Sequence, residues 1–291
     1  MAENYSFWQD AFKRLKRNRP AMIGLVIIIL FTILAILSPV LSPADPIKQD
    51  LSNRLKPPGS TSNICKNGIY ILGSDEFGRD ILSRILYGAR ISLSVGIISQ
   101  ILVTIVGVTM GSLAGYYGGK IDMLIMRLAD ILFAFPDLLF YIGVMFALGP
   151  SIYNVFVALA LIGWAGMARL VRSQVISLRE MEYIEAAKAQ GLSDLRIILK
   201  HILPNCVGPI IVSITMGIPG TILAEASLSF LGLGVQPPTP SWGNMIYAAR
   251  AYMRTNPMYS VWPGLAIMIM VFSFNLLGDG LRDAFDPKLK R

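Results

Sequence analysis

The chain has 291 residues, of which 54% are hydrophobic and only 15% charged, where a soluble domain carries about 25%. That balance excludes an ordinary water-soluble fold. The net charge of +8 does not mark a nucleic-acid partner, because Lys and Arg cluster beside apolar stretches instead of forming a basic domain with its own core.

Runs free of charge over 20–44, 91–119, 138–168 and 255–278 each exceed the ~20 residues that cross a bilayer. The segment 1–20 carries five Lys/Arg and reads as cytoplasmic. A signal peptide would share that basic start, but the run over 20–44 is longer than a signal's apolar core and no clear A-x-A site ends it. We therefore expect a retained first transmembrane helix over 21–41, closed by Pro39 and Pro43.

The polar stretch 42–90, with PADP, KPPGS and SNICKNG, has the composition of a long external loop. A second helix is expected over 91–116 and a third over 123–148, the latter interrupted by Arg127, Asp130, Pro136 and Asp137. Leu148-Gly149-Pro150-Ser151 separates it from a fourth over 152–171. A polar, helix-rich segment covers 172–204, a fifth helix 207–231, and a loop 232–257 that sets Trp242 at headgroup depth. The sixth helix spans 261–277, and 282–291 forms a cytoplasmic tail.

The fold class is thus all-α membrane protein with six transmembrane helices. With both termini cytoplasmic, 17 of the 26 Lys/Arg fall inside, which sets the orientation. Cys65 and Cys206 fall near opposite faces, so no internal disulfide is expected, and neither has metal-ligand spacing.

Within 172–204, residues 181–190 are good helix formers and Gly191 suits a left-handed helix end. Ser193 can cap a second short helix, in which Leu195, Ile198, Leu199 and Ile202 share one apolar face and which Pro204 closes. Periodicity alone leaves this as a packed interhelical loop or an interfacial helix.

The residues themselves say more. EAAKAQG at 185–191, followed by ILP at 202–204, resembles the EAA loop of the permease subunits of binding-protein-dependent ABC importers. LGSDEFGRDILSRILYGARISL at 72–93 is similar to a segment of oligopeptide, dipeptide and nickel permeases. So are Met126-Arg127-x-x-Asp130 with Phe135-Pro136, the stretch from Leu228 to Pro238 with Ser241-Trp242-Gly243, and Gly278-Asp279-Gly280-Leu281-Arg282-Asp283 near the end. Ser74, where threonine is usual, and Phe285, where leucine is common, are small departures.

The resemblance is to the C-type permease subunit, with the type I ABC importer permease fold, and it implies a core permease domain over 91–281. It further implies a B-type permease partner, two ABC ATPase subunits that hold ATP and Mg, an extracytoplasmic substrate-binding protein, a peptide substrate and membrane lipid, in a bacterial cell membrane. This chain would bind no cofactor and hydrolyse no ATP. Nickel, opine and glutathione are substrate alternatives within the same family. Glu185, Ala186, Ala187 and Gly191 would form the ATPase-docking core, with Lys188, Arg196 and Pro204 around it, although a solvated face is the simpler reading of Lys188 and Arg196.

Glu225 lies inside the fifth helix, where a charge is costly; a functional group and a hydrogen-bonded structural anchor are both open. Asp130 and Asp137 stand seven apart on one helix face with Arg127 a turn before Asp130, and a structural ion pair is favoured over acid–base work. His201 is alone, and Gly119-Lys120-Ile121 lacks the glycine and hydroxyl residue of a phosphate loop. Met123, Met126, Met268 and Met270 read as helix packing. A gradient-driven secondary transporter would want an intramembrane relay or an inverted repeat, and a membrane enzyme would want a catalytic constellation; neither pattern is seen.

Overall fold

A computed structural model describes residues 7–286 of a predominantly helical chain. Helices α1 (Phe7–Arg17) and α2 (Arg19–Ile36) meet at Asn18, whose side chain accepts the Ala21 N–H at 3.1 Å, with Pro20 in the first turn where its missing donor costs nothing. A single further turn, α3 (Ser38–Leu41), follows Leu37, so the span expected over 21–41 is a helix plus a turn.

The loop is shorter than the expected 42–90. It carries a small hairpin, β1 (Ser60–Thr61) against antiparallel β2 (Ile69–Tyr70), and ends at Asp80, whose carboxylate accepts the Ser83 N–H at 2.8 Å and so caps α4 (Ile81–Tyr117). Arg84 and Arg90 are therefore helical. The charge of Arg84 is answered by the loop, through Asp75 at 3.4 Å and the Pro46 carbonyl at 2.9 Å, and not by water. At Gly78, with φ +74°, the Asp50 carbonyl oxygen lies 1.8 Å from where a Cβ would stand, so the turn admits glycine alone.

The single third helix expected over 123–148 is a correction: α5 (Gly119–Phe133) and α6 (Asp137–Leu148) are bent by 93°. Pro136 supplies no N–H, and its ring drives Phe135 out of the helical region. Helix α7 (Ile152–Arg179) runs past the expected 171, so the segment expected over 172–204 shrinks to two short helices and a turn. These are α8 (Glu182–Ala189), α9 (Asp194–Ile197) and a π-helical turn, Ile198–Ile202, that flows into α10 (Leu203–Phe230).

Pro204 does not close the second short helix, as expected, but opens α10. It cannot donate to the carbonyl of Lys200 and its ring would crowd that group; the wide π turn relieves both problems.

The loop expected over 232–257 contains α11 (Trp242–Ala249), capped by a reciprocal Ser241–Asn244 box. Trp242 is fully buried, a correction to its expected place among headgroups: its indole N–H donates to the Ile85 carbonyl at 3.1 Å, its backbone N–H to Ser92 Oγ at 3.2 Å, and Phe31 meets it edge-on. Helix α12 (Met258–Phe285) overruns the expected 261–277 at both ends, so the tail expected from 282 is helical to Phe285. Those parts of the expected terminal segments at 1–6 and 287–291 lie outside the described residues.

Among the described residues, five helices are long and apolar enough to cross a membrane, six if the bent α5–α6 pair is one span. Helices α4 and α7 approach closely along a row of glycines. Cβ atoms added at Gly107, Gly111 and Gly115 would fall 2.5 Å from Met167 Cβ, 2.5 Å from the Ala168 carbonyl oxygen and 2.8 Å from Val175 Cβ. Small residues spaced four apart let the helices meet where lipid offers no hydrophobic drive to association. Val26, Ile105 and Phe272 remain exposed on the outside of the bundle, a surface suited to hydrocarbon.

Candidate functional site

The two short helices form a hook below the bundle. Ile184 and Ala187 of α8 are buried with Val171 and Val175 of α7 and with Ile197, Ile202 and Cys206. Their burial turns Glu185, Ala186 and Lys188 outward, where all three are exposed. Of the expected docking core, Ala187 thus packs inward while Glu185 and Ala186 face solvent. Gly191 takes φ +75° with nothing near its Cβ position, so its requirement is conformational. Its N–H donates to the Lys188 carbonyl at 2.9 Å, and the next N–H, of Leu192, to the Ala187 carbonyl at 3.2 Å, which ends the helix.

Ser193 occupies the capping position of α9 without a side-chain capping bond. The expected apolar face of Leu195, Ile198, Leu199 and Ile202 is split. Ile197, Ile198 and Ile202 turn inward, whereas Leu195 is 66% and Leu199 54% exposed. The π turn is the reason, since its wider repeat brings residues five apart, not four, onto one side. Together with exposed Met181, Tyr183 and Arg196, the leucines give the hook an outer apolar surface that the sequence pattern assigned to the core.

Tyr116, near the end of α4, ties the hook to the bundle. Its hydroxyl donates to Asp194 Oδ1 at 2.7 Å, its carbonyl accepts from Arg179 at 3.0 Å, and the Lys188 ammonium stands 5.5 Å from its ring. Nearby, Arg172 forks onto Asp122 and Arg169 reaches Asp130 at 2.6 Å while lying over the Phe133 ring. The expected Arg127–Asp130 pair is therefore a correction: α7 supplies the arginine for Asp130, and Arg127 is exposed.

Glu225 is fully buried, with one carboxylate oxygen accepting from Ser229 at 2.7 Å and from Ser241 at 3.0 Å. It fastens the start of α11 to α10, where a Cβ on Gly243 would come within 2.7 Å of Ala226 Cα. The other carboxylate oxygen, also buried, has no hydrogen-bond partner among the described residues.

At the opposite end of the bundle, Arg79 donates to Asp75 at 2.6 Å and to Glu76 at 3.1 Å, and Tyr259 donates to Glu76, so the loop is locked to α12 by buried polar contacts. Burial raises the Asp80 carboxyl above the usual carboxylate range, with hydrogen bonds from Ser83 opposing the shift. Burial also pushes the Cys65 thiol up to about 11. Cys65 and Cys206 are both free and sit in separate buried clusters.

Between these ends one side of α10 is open. A groove of about 1130 Å³ is lined by Gln174, Pro204, Gly208, Met216 and Arg282, and it shares Ser213 and Gly217 with a second open chamber of about 470 Å³ further along α10.

A multispan helical bundle with an open groove along one helix and a projecting helical hook fits the class of membrane transport permeases. The sequence profile described as binding-protein-dependent transport system inner membrane component matches residues 107–291, and that of the N-terminal TM domain of oligopeptide transport permease C matches 6–58. The chain belongs to the binding-protein-dependent transport system inner membrane component family.

Among its relatives, the dipeptide transport system permease protein DppC of Alkalihalophilus pseudofirmus is 48% identical over 97% of this chain and 90% of the relative. The oligopeptide transport system permease protein OppC of Bacillus subtilis is 40% identical over 99% and 92%, and the glutathione transport system permease protein GsiD of Pectobacterium atrosepticum is 44% identical over 97% and 92%. The fold is that of the type I ABC importer permeases. The inward-facing MetNI methionine ABC transporter superposes with a TM-score of 0.58 at 18% identity, covering 71% of this chain and 98% of that one.

Proposed function

We propose that this chain is one of two permease subunits of an ATP-driven peptide importer. It forms half of the translocation path along the open side of α10, beside a B-type permease partner. The observation that carries this reading is the exposed hook: Glu185, Ala186, Leu195 and Leu199 stand outward on a buried isoleucine base, as a surface built to seat in another protein requires. Two ABC ATPase subunits, holding ATP and Mg, supply the chemistry, and an extracytoplasmic binding protein delivers substrate to the side of the loop at 42–80. The excess of Lys/Arg on the hook side supports cytoplasmic termini in a bacterial cell membrane.

Closure of the ATPases on ATP would shift the hook, and the contacts of Tyr116, Arg179 and Arg172 carry that shift into α4, α5 and α7 as rocking of the bundle. Peptide as the cargo is supported by the dipeptide and oligopeptide permease relatives. The glutathione permease relative supports a second reading, in which the cargo is that tripeptide.

The test is co-purification of tagged ATPase subunits with the full chain carrying Glu185→Lys or Gly191→Pro. Loss of the ATPases with membrane insertion intact supports the hook's role, and unchanged docking overturns it. Uptake of labelled di- and tripeptides by cells with and without the chain tests the cargo.

A further inference from the structure

Three carboxylates follow one another along α5 and α6: Asp122, Asp130 and Asp137. The first two meet arginines of α7, Arg172 on Asp122 and Arg169 on Asp130. Continuing along that face of α7 in steps of three, the next residues are Gly166 and Gly163. Both glycines line the 470 Å³ chamber, and so does Asp137. The third carboxylate thus faces open space where the first two face guanidinium groups. A Cβ on Gly166, or on Gly220 across the chamber, would meet nothing within 4 Å.

Asp137 makes no hydrogen bond or ion pair with any described residue and is exposed where it borders the pocket, so its charge is open to a positive group from outside this chain. The remaining polar walls of the chamber, Gln100, Tyr141, Ser213, Thr221 and Ser227, are uncharged hydrogen-bonding groups. A divalent metal would demand more anionic oxygen than one carboxylate, and among the described residues no cluster of metal-binding side chains forms. A single ammonium group flanked by amides suits both the charge and the neutral donors and acceptors.

We propose that Asp137 and this chamber form a cation subsite for the terminal ammonium group of a peptide in passage, which supplies the charge that α7 supplies to Asp122 and Asp130. This rests on the importer reading above. The full complex, solubilised without its binding protein, is titrated with trialanine and with N-acetyl-trialanine.

Wild type should bind the free peptide about tenfold more tightly than the acetylated one, as expected for a charge-assisted contact. Asp137→Asn should remove that preference by weakening the free peptide alone, and Asp137→Glu should retain most of it. Gly166→Arg, which completes the row of arginines, should remove it as well, while Gly166→Ala should not. Equal binding of the two peptides by wild type, or an undiminished preference in Asp137→Asn, overturns the subsite. Peptide uptake by wild-type cells separates the two ideas: uptake without the binding preference leaves the importer standing and removes the subsite, whereas absence of peptide uptake removes the importer reading itself.

Discussion

The hydroxyl of Tyr116 donates to the carboxylate of Asp194 at 2.7 Å, a bond between residues 78 apart that pins the second half of the hook to the end of the longest helix. Around it the Lys188 ammonium over the Tyr116 ring and the buried cluster that holds Tyr116 with Ile184 and Ile197 also join the hook to α4. The bond therefore fixes orientation more than it adds stability.

Tyr116→Phe keeps the ring under Lys188 and deletes that bond, at a cost of about 1 kcal/mol. The expected outcome is normal insertion and normal ATPase co-purification with peptide uptake reduced several-fold per ATP hydrolysed. A ratio of uptake to hydrolysis equal to that of wild type would show that the bond plays no part in transmission.

Gly191 separates backbone demand from steric demand, because it combines φ +75° with open surroundings. The docking strength of variants should follow Gly, then Asn, then Ala, since asparagine visits the left-handed region more readily and alanine costs about 1 kcal/mol there. Quantitative co-purification of the ATPases checks the order, and an alanine variant as good as asparagine would contradict it.

Asp80 makes the loop sensitive to pH. Its folded carboxyl titrates above the unfolded value, so the folded state gains stability as pH falls from neutral through the folded pKa and stops gaining near the unfolded value of about 3.9. Asp80→Asn keeps an oxygen for the Ser83 cap and removes the buried charge. Its melting temperature should exceed that of wild type at pH 7.5, and the gap should narrow at pH 5. Scanning calorimetry or dye-reported melting in detergent measures both.

Gly111→Ala would set a methyl 2.5 Å from the Ala168 carbonyl oxygen, a backbone atom that cannot step aside. Separation of α4 from α7 should lower the melting temperature markedly, at an overpacking cost of about 1–3 kcal/mol. Gly143→Ala, with nothing within 4 Å, is the control and should leave melting unchanged or slightly raised.

The spans are readable because charge-free runs of such length are selected by a bilayer and seldom by a soluble core. Their ends are not, and the errors share a cause. Arg84 and Arg90 read as loop because a charge in a helix looks costly until its partner, here Asp75 for Arg84, is known. Trp242 reads as interfacial because nothing local reveals the Ile85 carbonyl that takes its N–H.

In the hook, the conformation of Gly191 is legible from helix-end chemistry, whereas Glu185 is singled out only by the resemblance of 185–191 to a known loop. The outward turn of Leu195 and Leu199 is not legible, because a π turn alters the period on which face assignment depends. The pairing of Asp130 with Arg169, 39 residues away, has no local signature either. The α4–α7 seam does have one: glycines at 107, 111 and 115 are spaced for close helix contact.

Helix α4 has 37 residues and no proline, so it is an unjointed rod of about 55 Å, well over the thickness of the hydrocarbon layer. Its Asp80 end is clamped to the loop and its Tyr116 end to the hook, and no break between them absorbs motion. A push at either end therefore arrives at the other. By linkage, a protein whose arrival on the loop shifts this rod changes the affinity of whatever seats on the hook, and is itself held or released by the same factor when the hook is occupied.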